Sequence, residues 1–239
     1  MKYFGEGISE THKELNKIIR KPAEIERAKA LFLELHACLH LSEASGTMQN
    51  KMSGAARNEV DVLLEDLAPV EYAVMPTAKD ETIAWVLWHV ARIEDLTMNF
   101  LVAGGEQVFN DAWKKRLNVS ITDTGNALTD DEIMDLSKNI SAKELLCYRN
   151  EVAKRTRMIV AELRAEDMKR KIAPRDLEKI RACGGVTAQE DSAWLLDFWG
   201  KKDVAGILLM PPTRHVMLHL NDCCKWKEQI RTKRKFYRS

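Results

Sequence analysis

Residues 82–101 read TIAWVLWHVARIEDLTMNFL, and their periodicity decides the fold class. Ile83, Val86, Leu87, Val90, Ile93 and Leu96 recur at spacings of three and four, the repeat of one helix face. The pattern predicts a helix over residues 79–103, stopped by Gly104-Gly105. Trp85 four positions before His89, Ile93 four after and Leu96 seven after place His89 on the apolar face. A histidine turned inward needs a partner for its ring nitrogens. Glu94 and Asp95 fall off that face and read as exposed or paired acids.

The same period recurs along the chain. Ala28, Leu31, Leu35, Cys38 and Leu39 predict a helix over 22–45, with Pro22 in its first turn. The polar run SEASGTMQNKMSG (42–54) reads as a connection. An amphipathic stretch over 55–67 follows and stops before Pro69. A shorter segment holds Val108, Trp113 and Leu117. Thr129-x-x-Glu132 is a capping box that opens a predicted long helix to about residue 163. Residues 165–210 read as an insert with two or three short helices, and Thr187-x-x-Glu190 as a second capping box. The last helix follows Pro211-Pro212 and runs to about 231. No series of alternating strands is visible. The expected fold is all-α: a four-helix bundle with additional short helices, in one domain over residues 1–239.

Composition bounds the function classes. Of 239 residues, 45% are hydrophobic and 31% charged, an ordinary globular balance. The formal net charge of +1 exerts no global pull on nucleic acid or membrane. The segment from Lys225 onward holds seven basic residues and one acidic residue, and reads as a solvated tail. Nucleic acid is accordingly not an expected partner. No apolar run of about 18 residues suggests a transmembrane helix, and no signal segment is visible in MKYFGEGISETHKELNK. Five cysteines without a C-x-x-C spacing point to reduced thiols and a cytoplasmic setting.

The chemistry-bearing residues are histidines. His215 and His219, in TRHVMLHLND, are four apart, so a helix places both imidazoles on one face within reach of one metal ion. A third ligand must come from elsewhere in the fold, and His89, inward-facing on the helix described first, is the best candidate. His36 and His40, in LFLELHACLHLSEAS, have the same spacing, and periodicity alone does not separate the two pairs. Asp222 shares the face of His215 and His219 and is a candidate to orient a ligand from outside the coordination shell. His12 reads as solvated, Arg214 as exposed, and Trp85, Trp88, Trp194 and Trp199 as core. No Ser-His-Asp arrangement, glycine-rich phosphate loop or paired-carboxylate motif stands out.

TIAWVLWHVARIEDLTMNFL followed by MPPTRHVMLHLND resembles the DinB/YfiT-like superfamily of metalloenzymes. The resemblance implies a four-helix bundle that binds a divalent metal, zinc or nickel being expected, through one histidine of the second core helix and an HxxxH pair on the last. Position by position these are His89, His215 and His219. His36, His40 and Asp222 are then candidates for the pocket wall or outer shell. Some members are transferases that use a low-molecular-weight thiol such as bacillithiol, mycothiol or glutathione. The resemblance thus implies a metal-dependent thiol transferase acting on a small-molecule substrate, with room for a homodimer. The alternative is a non-catalytic metal-binding or stress-response bundle. This chain is longer than the compact members, with an extended N-terminus and the 165–210 insert, which are expected to frame the pocket mouth.

Overall fold

The helix predicted first turns out to have no solvent face at all. The structure, a computed structural model, describes residues 6–42, 58–233 and 235–239. Its helices are α1 (Glu6–Ile18), α2 (Ile25–Ala37), α3 (Glu59–Leu64), α4 (Ile83–Leu96), α5 (Asp111–Leu117), α6 (Asp130–Asn139), α7 (Ala142–Glu162), α8 (Pro174–Ala182), α9 (Glu190–Gly200), α10 (Val204–Leu208) and α11 (Val216–Thr232). Among the described residues there are no strands, only two isolated bridges. The fold is all-α, as expected. Helices α2, α7, α4 and α11 form the central bundle. Helix α4 packs on both α7 and α11, α2 packs on α7, and α2 also meets the turn that leads into α11.

Every residue of α4 is buried, including Arg92, Glu94 and Asp95. The Thr82 hydroxyl caps its first turn by accepting from the Trp85 N–H. Asp95 and Glu94 are therefore not exposed acids, and burial demands partners for them. Asp95 accepts from Arg92 Nη1, the Tyr148 hydroxyl (2.6 Å), Asn99 Nδ2 and the backbone N–H groups of Val108 and Phe109. Past Leu96 the helix widens into a π-turn over Thr97–Val102. There the side chains of Thr97 and Asn99 bond back to the carbonyls of Ile93 and Asp95. Gly104, at φ 68°, ends it as predicted.

Several boundaries differ from the sequence expectation. The helix predicted over 22–45 is a 3₁₀ turn at Pro22–Glu24 followed by α2, which ends at Ala37. The Asn58 side chain stops it by donating to the carbonyls of Ala37 and His40. Residues 43–57, most of the expected polar connection and the start of the amphipathic stretch, lie outside the described residues. The helix predicted over 129–163 is broken at Ile140, which is extended, and Ser141 caps a new helix by accepting from the Glu144 N–H. The Thr187 box does not form: Gln189 occupies the cap position of α9, and the Thr187 hydroxyl bonds the Gln189 side chain. Pro211 and Pro212 lie within a second π-turn, Met210–His215, that runs directly into α11. Trp194 is exposed rather than core.

The basic C-terminal segment is docked, not solvated along its length. Arg238 pairs with Met75 in an antiparallel bridge, the Tyr237 N–H donates to the Pro76 carbonyl, and Arg238 also pairs with Asp131. His12 is likewise not free in solvent, since its Nε2 lies 2.8 Å from the Leu209 carbonyl. The 165–210 segment holds the three short helices α8, α9 and α10. It packs on the end of α4, where Arg170 and Lys179 donate to the carbonyls of Val102 and Gly104. Cations are favoured at such a helix end.

Candidate metal centre

Four side chains of α4 hold one irregular segment, residues 122–125, and that arrangement aims His89. Trp85, Trp88, His89 and Arg92 lie at the spacing of a single helix face. Trp85 Nε1 donates to the Gly125 carbonyl, Trp88 Nε1 to that of Asp123 and Arg92 to that of Thr122. His89 Nδ1 lies 2.8 Å from the Thr124 carbonyl. A carbonyl only accepts, so Nδ1 carries the ring proton and Nε2 presents its lone pair. The insert braces this segment from behind. The Thr122 hydroxyl donates to the Gly184 carbonyl and the Thr124 N–H to that of Gly185.

The lone pair of His89 faces α11. His89 Nε2 and His215 Nε2 are 3.1 Å apart. Ring centroids are 5.0 Å from His89 to His215, 5.0 Å from His89 to His219 and 4.6 Å from His215 to His219. One nitrogen from each ring lies within 4.8 Å of the others. Donors that share one ion at ~2.1 Å stand about 3.0–3.4 Å apart, so the His89–His215 pair is already at coordinating distance. The Trp85 indole stacks on His89 at 4.5 Å and meets His219 edge-on at 6.0 Å. His215 and His219 keep partial exposure, so the cluster opens to solvent on the α11 side.

All three imidazoles are neutral at physiological pH. Burial, with the nearby His219 ring, lowers the pKa of His89 to about 3. Burial lowers that of His219 to about 4 and holds that of His215 well below its usual value. A neutral imidazole is the metal-binding form. His215 Nδ1 is buried with no hydrogen-bond partner, so this ring engages its surroundings through Nε2. Three uncharged nitrogen donors with an open side fit zinc, nickel or another borderline divalent ion. Asp222 contributes nothing to the orientation: it is exposed and forms no hydrogen bond with either histidine. That role belongs to Thr124, which sequence reading missed because a backbone carbonyl has no residue signature.

His36 and His40 do not line this cluster. They belong to a second one on the other side of α4, where His36 Nε2 is 2.8 Å from Glu94 Oε1 and His40 Nε2 is 3.3 Å from Glu94 Oε2. Cys223, close to His219 in sequence, is fully buried, and burial raises its thiol pKa well above the usual range. Burial likewise raises the thiol pKa of Cys38, Cys183 and Cys224, which makes these sulfurs poor thiolates.

A family model described as the DinB superfamily matches residues 54–192. The matched stretch contains His89 and Thr124 and ends before His215. No curated protein matches this chain. Among the described residues, no helix is long and apolar enough to cross a membrane.

Proposed function

The chain belongs to the DinB superfamily, and from that membership and the geometry above we propose that His89, His215 and His219 hold a divalent metal ion for thiol-dependent transfer to a small-molecule substrate. The observation that carries the reading is the convergence of three neutral imidazoles with the His89 lone pair aimed at His215 by the Thr124 carbonyl.

Each residue has a definable task. Thr124 fixes the tautomer of His89. Trp85 shields that ring on one face and borders His219 of α11, while His215 comes from the π-turn that leads into α11. Three protein donors leave coordination positions open, the mark of a reactive rather than a purely structural site. When bound, a divalent ion lowers the pKa of a coordinated thiol or water and polarises a carbonyl. The transfer is a displacement: the thiol loses its proton to solvent, its sulfur bonds the electrophilic carbon, and the leaving group departs with the bonding pair. Arg214, exposed beside His215, is placed to meet an anionic group of thiol or substrate. Cys223, the cysteine nearest the triad in sequence together with Cys224, is sealed in the core and unsuited to supply the nucleophile, so the thiol comes as a cosubstrate.

The test is tag-free protein, stripped by chelation, reloaded with Zn²⁺ or Ni²⁺ and assayed with bacillithiol, mycothiol and glutathione against an electrophilic acceptor. His219→Ala is expected to lose the ion of this site and the transfer together, and Cys223→Ala to keep both. Absence of metal-dependent transfer with every thiol would leave a non-catalytic metal-binding bundle. Transfer that survives in His219→Ala would locate the chemistry elsewhere.

A further inference from the structure

The bundle repeats the construction of the triad on the opposite side of α4. There the histidine pair is His36 and His40, again four apart, on the last turn of α2 and just beyond it. The residue contributed by α4 is Glu94, five positions after His89 and so on a different face of the same helix. All three side chains are buried, with His36 and His40 at 0% exposure and Glu94 at 1%. One donor atom from each lies within 4.8 Å of the others.

Ordinary hydrogen bonding explains only half of this cluster. Glu94 Oε1 accepts from the Thr156 hydroxyl at 2.7 Å and lies 2.8 Å from His36 Nε2. His40 is less fully served. Its Nε2 meets Glu94 Oε2 at 3.3 Å, a long and poorly aligned contact, and its Nδ1 is buried without a hydrogen-bond partner. A buried ring nitrogen left without a partner is destabilising unless something else engages its ring. The His36 and His40 rings are 4.3 Å apart and tilted by 32°, so both edges reach Glu94.

We propose that His36, His40 and Glu94 form a second divalent-metal site, distinct from the His89–His215–His219 triad. Two imidazoles and one carboxylate suit Fe²⁺, Mn²⁺ or Zn²⁺. The carboxylate supplies the charge compensation that a cation in the core requires, while Thr156 holds that carboxylate from behind, in the manner of an outer-shell partner. Two arginines act against the cation. Arg157 Nε reaches His36 Nδ1 at 3.5 Å, and Arg149 is close enough to disfavour a charge on His40. The second site therefore binds its ion more weakly than the triad does, and a half-buried Arg157 turns away when His36 Nδ1 takes up the ring proton.

The experiment counts ions. Chelated, tag-free protein is titrated with Zn²⁺, and separately with Fe²⁺ under anaerobic conditions. Binding is followed by calorimetry and by elemental analysis after gel filtration. Wild type is expected to take two equivalents, the second at least ten-fold weaker. The His215→Ala/His219→Ala protein, whose second cluster is untouched, is expected to keep one equivalent, and Glu94→Gln or His40→Ala on that background to keep none. If the double variant binds nothing, the cluster is a hydrogen-bonded core and the proposal fails, whether or not the Glu94 and His40 variants fold. It fails equally if the equivalent left in the double variant persists after Glu94→Gln. Were the wild type to take one ion that the double variant retains and Glu94→Gln removes, the second site would stand and the triad reading would fall.

Discussion

Replacing Gly125 by alanine separates the role of the α4-bound segment from the role of the histidines themselves. Gly125 has φ 76°, and a Cβ there would lie 2.9 Å from Trp85 Nε1, the atom that donates to the carbonyl of the same residue. The left-handed backbone costs an L residue about 1–2 kcal/mol. Displacing the indole strands a buried N–H, at about 1–3 kcal/mol. The sum is a loss of about 2–5 kcal/mol. In a chain of this size each kcal/mol lowers Tm by roughly 2–4 °C, which places the fall at roughly 4–20 °C. Trp85 also stacks on His89 and borders His219. Its displacement is expected to weaken metal binding by about 10–100-fold, as loss of an outer-shell partner does. The control is Gly104→Ala. Gly104 has φ 68° and open space around it, so it suffers the backbone strain without the collision. Thermal unfolding of chelated protein and a competitive Zn²⁺ titration read the two quantities. Equal destabilisation in the two variants, with unchanged Zn²⁺ affinity in Gly125→Ala, would refute the claim that Trp85 and the 122–125 segment hold the site.

Two further outcomes follow from the buried polar groups. His89 and His219 have folded pKa values of about 3 and about 4, and His215 also lies far below its usual value. The unfolded chain takes up these protons near pH ~6.5. Stability of the chelated protein is therefore full above about pH 6.5 and falls as pH drops toward 4, by up to ~1.4 kcal/mol per pH unit for each of the three rings; urea unfolding at pH 7.5, 6.0 and 5.0 that gives one constant value would contradict the burial of neutral imidazoles. Tyr148→Phe removes the hydroxyl that lies 2.6 Å from Asp95 Oδ2 and 2.9 Å from Arg92 Nη1. It is expected to cost about 1–3 kcal/mol in chemical denaturation and to leave the number of bound ions unchanged.

The all-α architecture is legible in the sequence, and so are the helix faces of His89, His215 and His219, although the choice of His215 and His219 over His36 and His40 rests on the family resemblance and not on spacing. Helical period and HxxxH spacing are local, and each fixes a face before any tertiary contact is known. What stays hidden is set by distant partners. Glu94 and Asp95 look like the polar face of an ordinary amphipathic helix. They are buried because His36, Thr156, Tyr148 and the 108–109 backbone come from other parts of the chain to meet them. Thr124 is invisible as a positioning residue because its carbonyl, not its side chain, does the work. The break at Ile140 did leave a trace. Ser141-x-x-Glu144 carries the spacing of a helix start, but the apolar period continues across it and masks the boundary.

The π-turn at Met210–His215 bears on how the gene for such a protein tolerates insertions and deletions. A π-turn is an α-helix that has absorbed one extra residue. Here it joins α10, the last helix of the 165–210 segment, to α11 and ends on His215 itself, and the Thr213 hydroxyl bridges the wide turn to the Leu208 carbonyl. Deleting one codon in this stretch would let the turn relax to α-helix. Everything beyond it would then be rotated by roughly a quarter-turn relative to α10. His215 and His219 would be carried off the α4 side although no ligand had been substituted. The geometry of the histidine cluster is thus set by the length of 210–215 as much as by the identity of its histidines, so a one-residue deletion there is expected to disperse the cluster while leaving every histidine in place.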